Sequence, residues 1–490
     1  MIWLERNATK AFWMLFFLQL LCWTIIPTLF QSNAPLDVIE GLAWGREWPL
    51  GTYKHPPLQA WLLESATYLF GQSGFGYFGL SALCSSLTLW AVYFTARLFV
   101  GKPQAFIATL LTQNIFYLNL LSTEFNPNVL QMVLGALATY AFTAALIKNK
   151  MRYWLMCGIF ITLGLYAKYS MAIYGISFLL FLIAQKEARP LLFRPHIYMV
   201  LALCLALFMP HLQWLLSNSF LPFEYAASRS QTATSFGQQL FFPLKFLSAQ
   251  VLDMLLALLI GACIFLPLKK NPSQNASRES LLAWIAFAPL VIMVIGSLAS
   301  GQKLIDMWGM PYLSFIPVWA VYTFQTHIKR EKLFLAAGAT GFALCLFAFC
   351  ANLLFAPALG FKPLRGHFPG AEISKTFTDF WQKQTGAPLT YVIGDAWLAG
   401  NVAFYSPDVR HRPHVWIDGS GKTSPWINPR DVRVKGAVVL WQENNSDSSN
   451  PPAWTRKFQS LKIQKPLIFQ RKTTSPSLPV FIGWGVIQPE

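Results

Sequence analysis

The sequence predicts an all-α polytopic membrane domain of about eleven transmembrane helices, followed by a small C-terminal α/β or α+β domain. Three observations predict it. Only 12% of the 490 residues are charged while 54% are hydrophobic, and a soluble chain of this size would carry roughly twice that charged fraction. Apolar runs near the ~20 residues needed to cross a bilayer recur along most of the chain. Near Ala356 the long runs give way to short strand-like stretches.

The expected spans lie near 11–30, 77–97, 104–122, 128–147, 153–167, 169–185, 197–216, 246–268, 281–299, 309–327 and 333–355. The run 153–185 is interrupted only at Lys168. One long helix would place the basic loops 148–152 and 186–194 on opposite sides, so two short helices turning at Lys168 are expected, with its ammonium facing protein. The C-terminal region reads as a helix at 371–384, strands at 389–393, 437–441, 463–469 and 480–487, and a polar loop at 444–450. The expected division is therefore 1–355 and 356–490.

The net charge of +17 raises the question of nucleic acid, but its distribution argues against it. The N-terminus (Arg6, Lys10) and the loops after alternate spans hold 16 of the 38 Lys and Arg. These are Arg97 and Lys102; Lys148, Lys150 and Arg152; Lys186, Arg189 and Arg194; Lys269, Lys270 and Arg278; Lys329, Arg330 and Lys332. The intervening loops hold six: Arg46, Lys54, Lys168, Arg229, Lys245 and Lys303. The positive-inside rule then places the N-terminus in the cytoplasm and the C-terminal domain on the far side, the periplasm of a bacterial inner membrane. The first span has no small-residue cleavage site after it and reads as an anchor. All seven Cys fall within expected spans, which excludes a disulfide framework in the exported regions.

Chemistry-bearing residues gather after the first span. Asp37 and Glu40 precede a run Tyr53-Lys54-His55-Pro56-Pro57-Leu58-Gln59-Ala60-Trp61. Short helices at 38–47 and 58–70 are rich in Trp, Tyr and Leu, as for helices lying in the interface. Asp37 as N-cap with Glu40 at N3 reads as a capping box, and the same acids can supply a general base at the mouth of a membrane cavity. Pro56 and Pro57 can start the second helix. That leaves Lys54 and His55 unexplained, and a Lys, a His and a helix N-terminus together form a phosphate site.

Glu124 and Asn126 open the fourth long span, where Asn126-Pro127 is ordinary helix-start grammar. Lys168 with Tyr169, and Lys303 with Asp306 nearby, reach the same face, as does the polar segment 217–245. His211 reads as a satisfied interface residue. No His or carboxylate pair stands at metal-ligand spacing, and there is no Gly-rich phosphate loop or Ser-His-Asp grouping, so no cofactor is required and a divalent metal has no support.

The acid after the first span, the Tyr-Lys-His-Pro-Pro-Leu-Gln-Ala-Trp run and the many-helix body with an exported C-terminal domain resemble the GT-C integral-membrane glycosyltransferases. The likeness covers roughly residues 10–355. It is greatest to the bacterial branch of protein O-mannosyltransferase-like enzymes, lipid A aminoarabinose transferase and rhizobial lipopolysaccharide galacturonosyltransferases. The resemblance implies transfer of a monosaccharide from a polyprenyl-phosphate donor to a periplasmic-face glycolipid or protein acceptor, with inversion. It implies that Asp37 is the base, with Glu40 the other acid in reach. It puts the phosphate-binding Lys of the aminoarabinose transferase on His55, with Lys54 one residue away; Lys168 or Lys303, which reach the same face, are expected to assist. Tyr53, Glu124, Asn126 and Tyr169 then line the substrate cavity. That chain has Glu-Lys before its Pro-Pro, so the departure to Lys54-His55 weakens any carry-over of a Glu-based metal site. The competing classes are a transporter or flippase of lipid-linked sugars, a protein O-glycosyltransferase, and a scaffold that docks through its C-terminal domain.

Overall fold

The computed structural model describes all residues except 1, 272–274, 325, 327–329, 357, 360, 362–363, 446–449 and 474–476. The expected span 309–327, the basic residue Lys329 and the expected loop 444–450 therefore lie wholly or partly outside the described residues. The chain forms two compact units. One comprises Met1–Trp23, Ser81–Thr123 and Pro127–Phe347; the other comprises Thr24–Leu80, Glu124–Asn126 and Ala348–Glu490.

The first unit is helical. Among the described residues six helices are long and apolar enough to cross a membrane: Trp3–Phe30, Gly74–Ala96, Pro127–Lys148, Pro195–Ser217, Ala276–Ser300 and Glu331–Phe355. The number rises to eight if two bent pairs each count as one span. These are Lys102–Gln113 with Phe116–Thr123, bent by 83°, and Phe236–Asp253 with Leu255–Phe265, bent by 58°. The remaining expected spans are shorter. Met151–Ala167 ends at Lys168, which is extended (φ −160°, ψ 134°), and a 3-10 turn leads into Ala172–Ala184, as the reading of Lys168 as a break requires. The described part of the region around 309–327 is a 3-10 segment Asp306–Tyr312 followed by the eight-residue helix Ile316–Thr323. Pro311 and Pro317 lie in this region, and a proline tolerates only the first turn of an α-helix. The segment 217–245 is more ordered than its composition implies. It holds the helix Leu221–Arg229 and the start of Phe236–Asp253, where the Ser235 side chain accepts the Gln238 N–H as an N-cap.

The second unit is built on a five-stranded mixed sheet of order β2-β1-β3-β5-β4. Its strands are β1 (Tyr391–Gly394), β2 (His414–Ile417), β3 (Ala437–Glu443), β4 (Leu461–Phe469) and β5 (Val480–Ile487). β1 pairs in parallel with β2 and β3, while β5 runs antiparallel to β3 and β4. β1 and β3 are almost wholly buried and read as continuous apolar runs because both sheet faces are covered. On one face Val392, Val438, Leu440 and Ile482 pack with Ile373, Phe377 and Trp381 of the helix Gly370–Thr385. On the other, Ile393, Val439 and Trp441 pack with Val432. β4 alternates in exposure and carries a bulge between Gln464 and Leu467, with Pro466 inside it, as suits an edge strand. Four strands and the first helix of this region match the sequence expectation. β2 and the helices Leu398–Phe404 and Pro429–Lys435 were not expected, because four to seven residues between prolines and glycines carry too little periodicity to read.

The covered face also takes Ala43 and Trp44 from the helix Leu36–Gly45 and Ala60 from Leu58–Phe70. These two short helices are therefore core elements of the sheet unit. They pack backbone to backbone, since a Cβ on Gly45 would lie 2.5 Å from the Ala60 carbonyl oxygen, and the helix Leu398–Phe404 comes as close, since a Cβ on Gly400 would lie 2.6 Å from Ile39 Cγ2. Ion pairs within the unit tie the same helices to the strand region. Arg412 Nη2 donates to both Glu64 carboxylate oxygens at 2.6 and 2.5 Å, with both side chains about 95% buried. His414 Nδ1 lies 2.5 Å from Glu47 Oε1, and Arg46 Nη2 lies 3.3 Å from His414 Nε2.

Removing one member of a buried ion pair strands the other. Arg412→Ala is expected to lower stability by about 3–5 kcal/mol, read as a drop in melting temperature in detergent. The double replacement Arg412→Met with Glu64→Leu recovers most of that loss; a single replacement without effect would show the pair to be idle.

Candidate active site

The helix Leu36–Gly45 begins after Pro35, whose extended backbone (φ −62°, ψ 166°) serves as N-cap with no side-chain cap bond. The expected capping box is thus not formed. Asp37 lies inside the first turn rather than at the cap, and Glu40 follows one turn later on the same face. A distant residue meets the need that the capping box would have met: Glu124 Oε1 accepts the Asp37 backbone N–H at 2.7 Å. A carboxylate at the positive end of a helix is electrostatically favourable.

Gln59 locks this arrangement. Its side-chain nitrogen donates to the Asp37 carbonyl oxygen at 2.8 Å and to the Phe125 carbonyl oxygen at 3.1 Å. One buried amide therefore joins both short helices to the segment Glu124–Asn126. Thr52 shapes the Lys54-His55 turn: its Oγ1 accepts the His55 N–H at 3.0 Å and donates to the His55 carbonyl oxygen at 2.8 Å, as hydroxyl-centred turns do. The turn presents Lys54 to Glu40, with Nζ to Oε2 at 2.7 Å. Tyr53 Oη donates to Glu40 Oε1 at 3.4 Å and its ring meets Trp44 edge-on. His55 is half-buried, and Pro57 is the N-cap of the second helix, as the sequence predicts.

The structure thus brings together Asp37, Glu40, Tyr53, Lys54 and Glu124, and Asn126 sits buried beside Glu124 in the chain. Burial pushes the Glu124 carboxyl upward; repulsion from Asp37 adds to this, while the Asp37 N–H, Arg365 and Lys54 oppose it. Burial also raises Glu40, against the attraction and hydrogen bond of Lys54. A cluster with three carboxylates and too few nearby cations binds protons more readily than isolated carboxylates do.

The other predicted residues belong to the first unit. Lys168 Nζ donates to Asn128 Oδ1 at 2.5 Å and stands 5.4 Å from the centre of the Trp308 ring, so its ammonium faces protein. Tyr169 Oη lies 3.0 Å from Nε2 of His211, which is fully buried and stacked on Trp214; His211 is satisfied, as expected. Lys303 Nζ donates to Gln231 Oε1 at 2.9 Å on the surface.

Sequence reasoning missed Gln59 and Thr52 as organisers. Gln59 stood in the singled-out run, but its reach to Phe125 spans 66 residues and nothing local signals it.

The family model described as dolichyl-phosphate-mannose-protein mannosyltransferase matches residues 54–214. The lipopolysaccharide core galacturonosyltransferase RgtA of Rhizobium johnstonii is 24% identical over 71% of this chain and 69% of its own length. RgtB of the same organism is 23% identical over 89% of this chain and 88% of its own. ArnT of Cupriavidus metallidurans in the apo state superposes with a TM-score of 0.62 at 12% identity, covering 99% of this chain and all of that one. ArnT bound to undecaprenyl phosphate gives 0.52 at 13% identity, covering 96% and 97%.

The raised Glu124 pKa has a measurable consequence. A group that holds its proton more tightly when folded adds stability at low pH, and that contribution is lost as pH rises through the raised value. Glu124→Gln keeps an oxygen for the Asp37 N–H and removes the titration. Thermal unfolding at stepped pH is expected to show wild-type stability falling through this range and the Gln variant losing that part of the slope. Parallel profiles would show that Glu124 does not titrate there.

Proposed function

We infer that this chain, a membrane glycosyltransferase of the GT-C type with the ArnT-like fold, moves a monosaccharide from a polyprenyl-phosphate donor onto a lipopolysaccharide-type glycolipid. The observation that carries the reading is the cluster of Asp37, Glu40, Lys54 and Glu124 on the short helices after the first apolar helix. The names of the galacturonosyltransferase relatives support the acceptor class, and the undecaprenyl phosphate bound by ArnT supports the donor class.

In this reading the acceptor hydroxyl attacks the anomeric carbon and gives its proton to the Asp37 carboxylate. The bond between that carbon and the phosphate oxygen breaks, and the leaving polyprenyl phosphate carries away the electron pair and the negative charge. Lys54 and His55 stabilise that charge as it builds. Glu40 holds the Lys54 ammonium in place, and Tyr53, Glu124 and Asn126 line the cavity. One displacement on one base gives inversion. The charge pattern supports a periplasmic-face site in a bacterial inner membrane and a cytoplasmic N-terminus; a reporter fused after Glu490 that worked only in the cytoplasm would overturn that orientation.

The test is transfer of labelled sugar from a polyprenyl-phosphate donor by the purified full-length chain in detergent. Asp37→Asn keeps the side chain's shape, and kcat is expected to fall roughly 10²-fold or more, the scale for losing a positioned base. Glu40→Gln is the control: a dead Glu40 variant beside an active Asp37 variant moves the base to Glu40. In the same assay Lys54→Ala with His55→Ala raises the donor KM or abolishes turnover while the protein stays folded; unchanged donor kinetics rule out the phosphate role.

A further inference from the structure

The acid cluster has a cationic neighbour that no step above uses. Arg365 opens the 3-10 turn Arg365–His367 at the entry to the C-terminal region, within the same compact unit as Asp37 and Glu124. The turn is firmly held: the Gly366 carbonyl oxygen accepts both the N–H and the Oγ–H of Ser32 at 2.9 Å. Ser32 lies four residues before the helix that carries Asp37. The Arg365 side chain is exposed, and its guanidinium stands 5.9 Å from the centre of the Trp397 ring. Trp397 is itself fixed, since its backbone N–H donates to Asp395 Oδ1 at 2.8 Å and its ring packs on Phe368.

Within the acid cluster Glu40 binds Lys54, and Glu124 accepts the Asp37 N–H. Among the described residues no carboxylate lies within ion-pair distance of Arg365. Its charge nevertheless reaches Glu124, whose carboxyl it draws downward against burial. A guanidinium resting on an aromatic ring keeps its in-plane N–H groups free, and their fork fits a phosphate with two parallel hydrogen bonds.

We propose that Arg365 is a substrate-binding residue that grips a phosphate group carried by the donor or the acceptor. This rests on the glycosyltransferase reading, because that reaction supplies phosphate-bearing substrates on both sides. The C-terminal region then contributes a ligand to the site as well as a scaffold.

The experiment measures equilibrium binding, not turnover, with the full-length chain in detergent. The probes are a polyprenyl monophosphate and a phosphorylated lipid A, the latter compared with its enzymatically dephosphorylated form. Arg365→Gln is expected to weaken one phosphorylated probe roughly 10-fold or more, the range for a lost hydrogen bond to a charged group. Arg365→Lys is expected to fall between, since it keeps the charge without the fork. Affinity for the dephosphorylated lipid and the melting temperature stay at wild-type values, because the side chain is exposed. Loss in the polyprenyl arm assigns the phosphate to the donor; loss in the lipid A arm assigns it to the acceptor. Wild-type affinity of Arg365→Gln for both phosphorylated probes, or wild-type binding that ignores phosphate, overturns the proposal. Arg365-dependent binding without sugar transfer by the wild type would instead sink the transferase reading and leave this one standing.

Discussion

The arrangement of the acids depends on the burial of one short helix. Leu36–Gly45 places Val38, Ile39 and Trp44 out of solvent, and Ala43 and Trp44 belong to the same apolar cluster as the central strands of the sheet. A ten-residue helix is marginal on its own in water, so this one exists because the sheet covers its apolar side. Asp37 and Glu40 lie two turns and one turn before Trp44 on the same face, and Glu40 is buried with it, so both acids inherit a fixed position. The close approaches at Gly45 and Gly400 exclude a Cβ and so set how near the neighbouring helices come.

From that constraint the polar geometry follows in steps. Helix formation leaves the Asp37 N–H without an intrahelical partner, and the Glu124 carboxylate takes it. Burial of Glu124 beside Asp37 raises its pKa. Gln59, also buried, satisfies two carbonyl oxygens with one amide, which keeps three separate chain segments in register. Lys54 offsets only part of the negative charge, bonding Glu40 and drawing the Glu124 carboxyl downward. An excess of acid held in place by packing suits a group that must accept a proton and hold it.

Charged contacts within the second unit follow the same logic at its edges. Arg412 with Glu64, and His414 with Glu47 and Arg46, join the short helices to the β2 region. A buried pair such as Arg412 with Glu64 contributes little net stability, yet losing one member strands the other. These contacts explain why a chain whose C-terminal region follows its last long apolar helix still folds that region around residues 24–80.

Much of this was legible in the sequence, because apolar periodicity and punctuation are local. The long apolar helices, the break at Lys168, the helix started by Pro57, four of the five strands and the grouping of Asp37, Glu40 and Lys54 can all be read from neighbouring residues. The capping box was misread because Asp-x-x-Glu is equally a first-turn pattern, and only the position of Pro35 and the arrival of Glu124 decide between the two. The paths of 217–245 and 306–323, the strand β2, the bonds of Gln59, the neutralisation of Lys54 by Glu40 and the place of Arg365 beside Trp397 were decided by tertiary structure. Sequence determines which residues prefer to be buried and where helices can begin. Which distant carbonyl or carboxylate answers an unsatisfied N–H depends on packing among segments hundreds of residues apart, and no local pattern encodes that pairing.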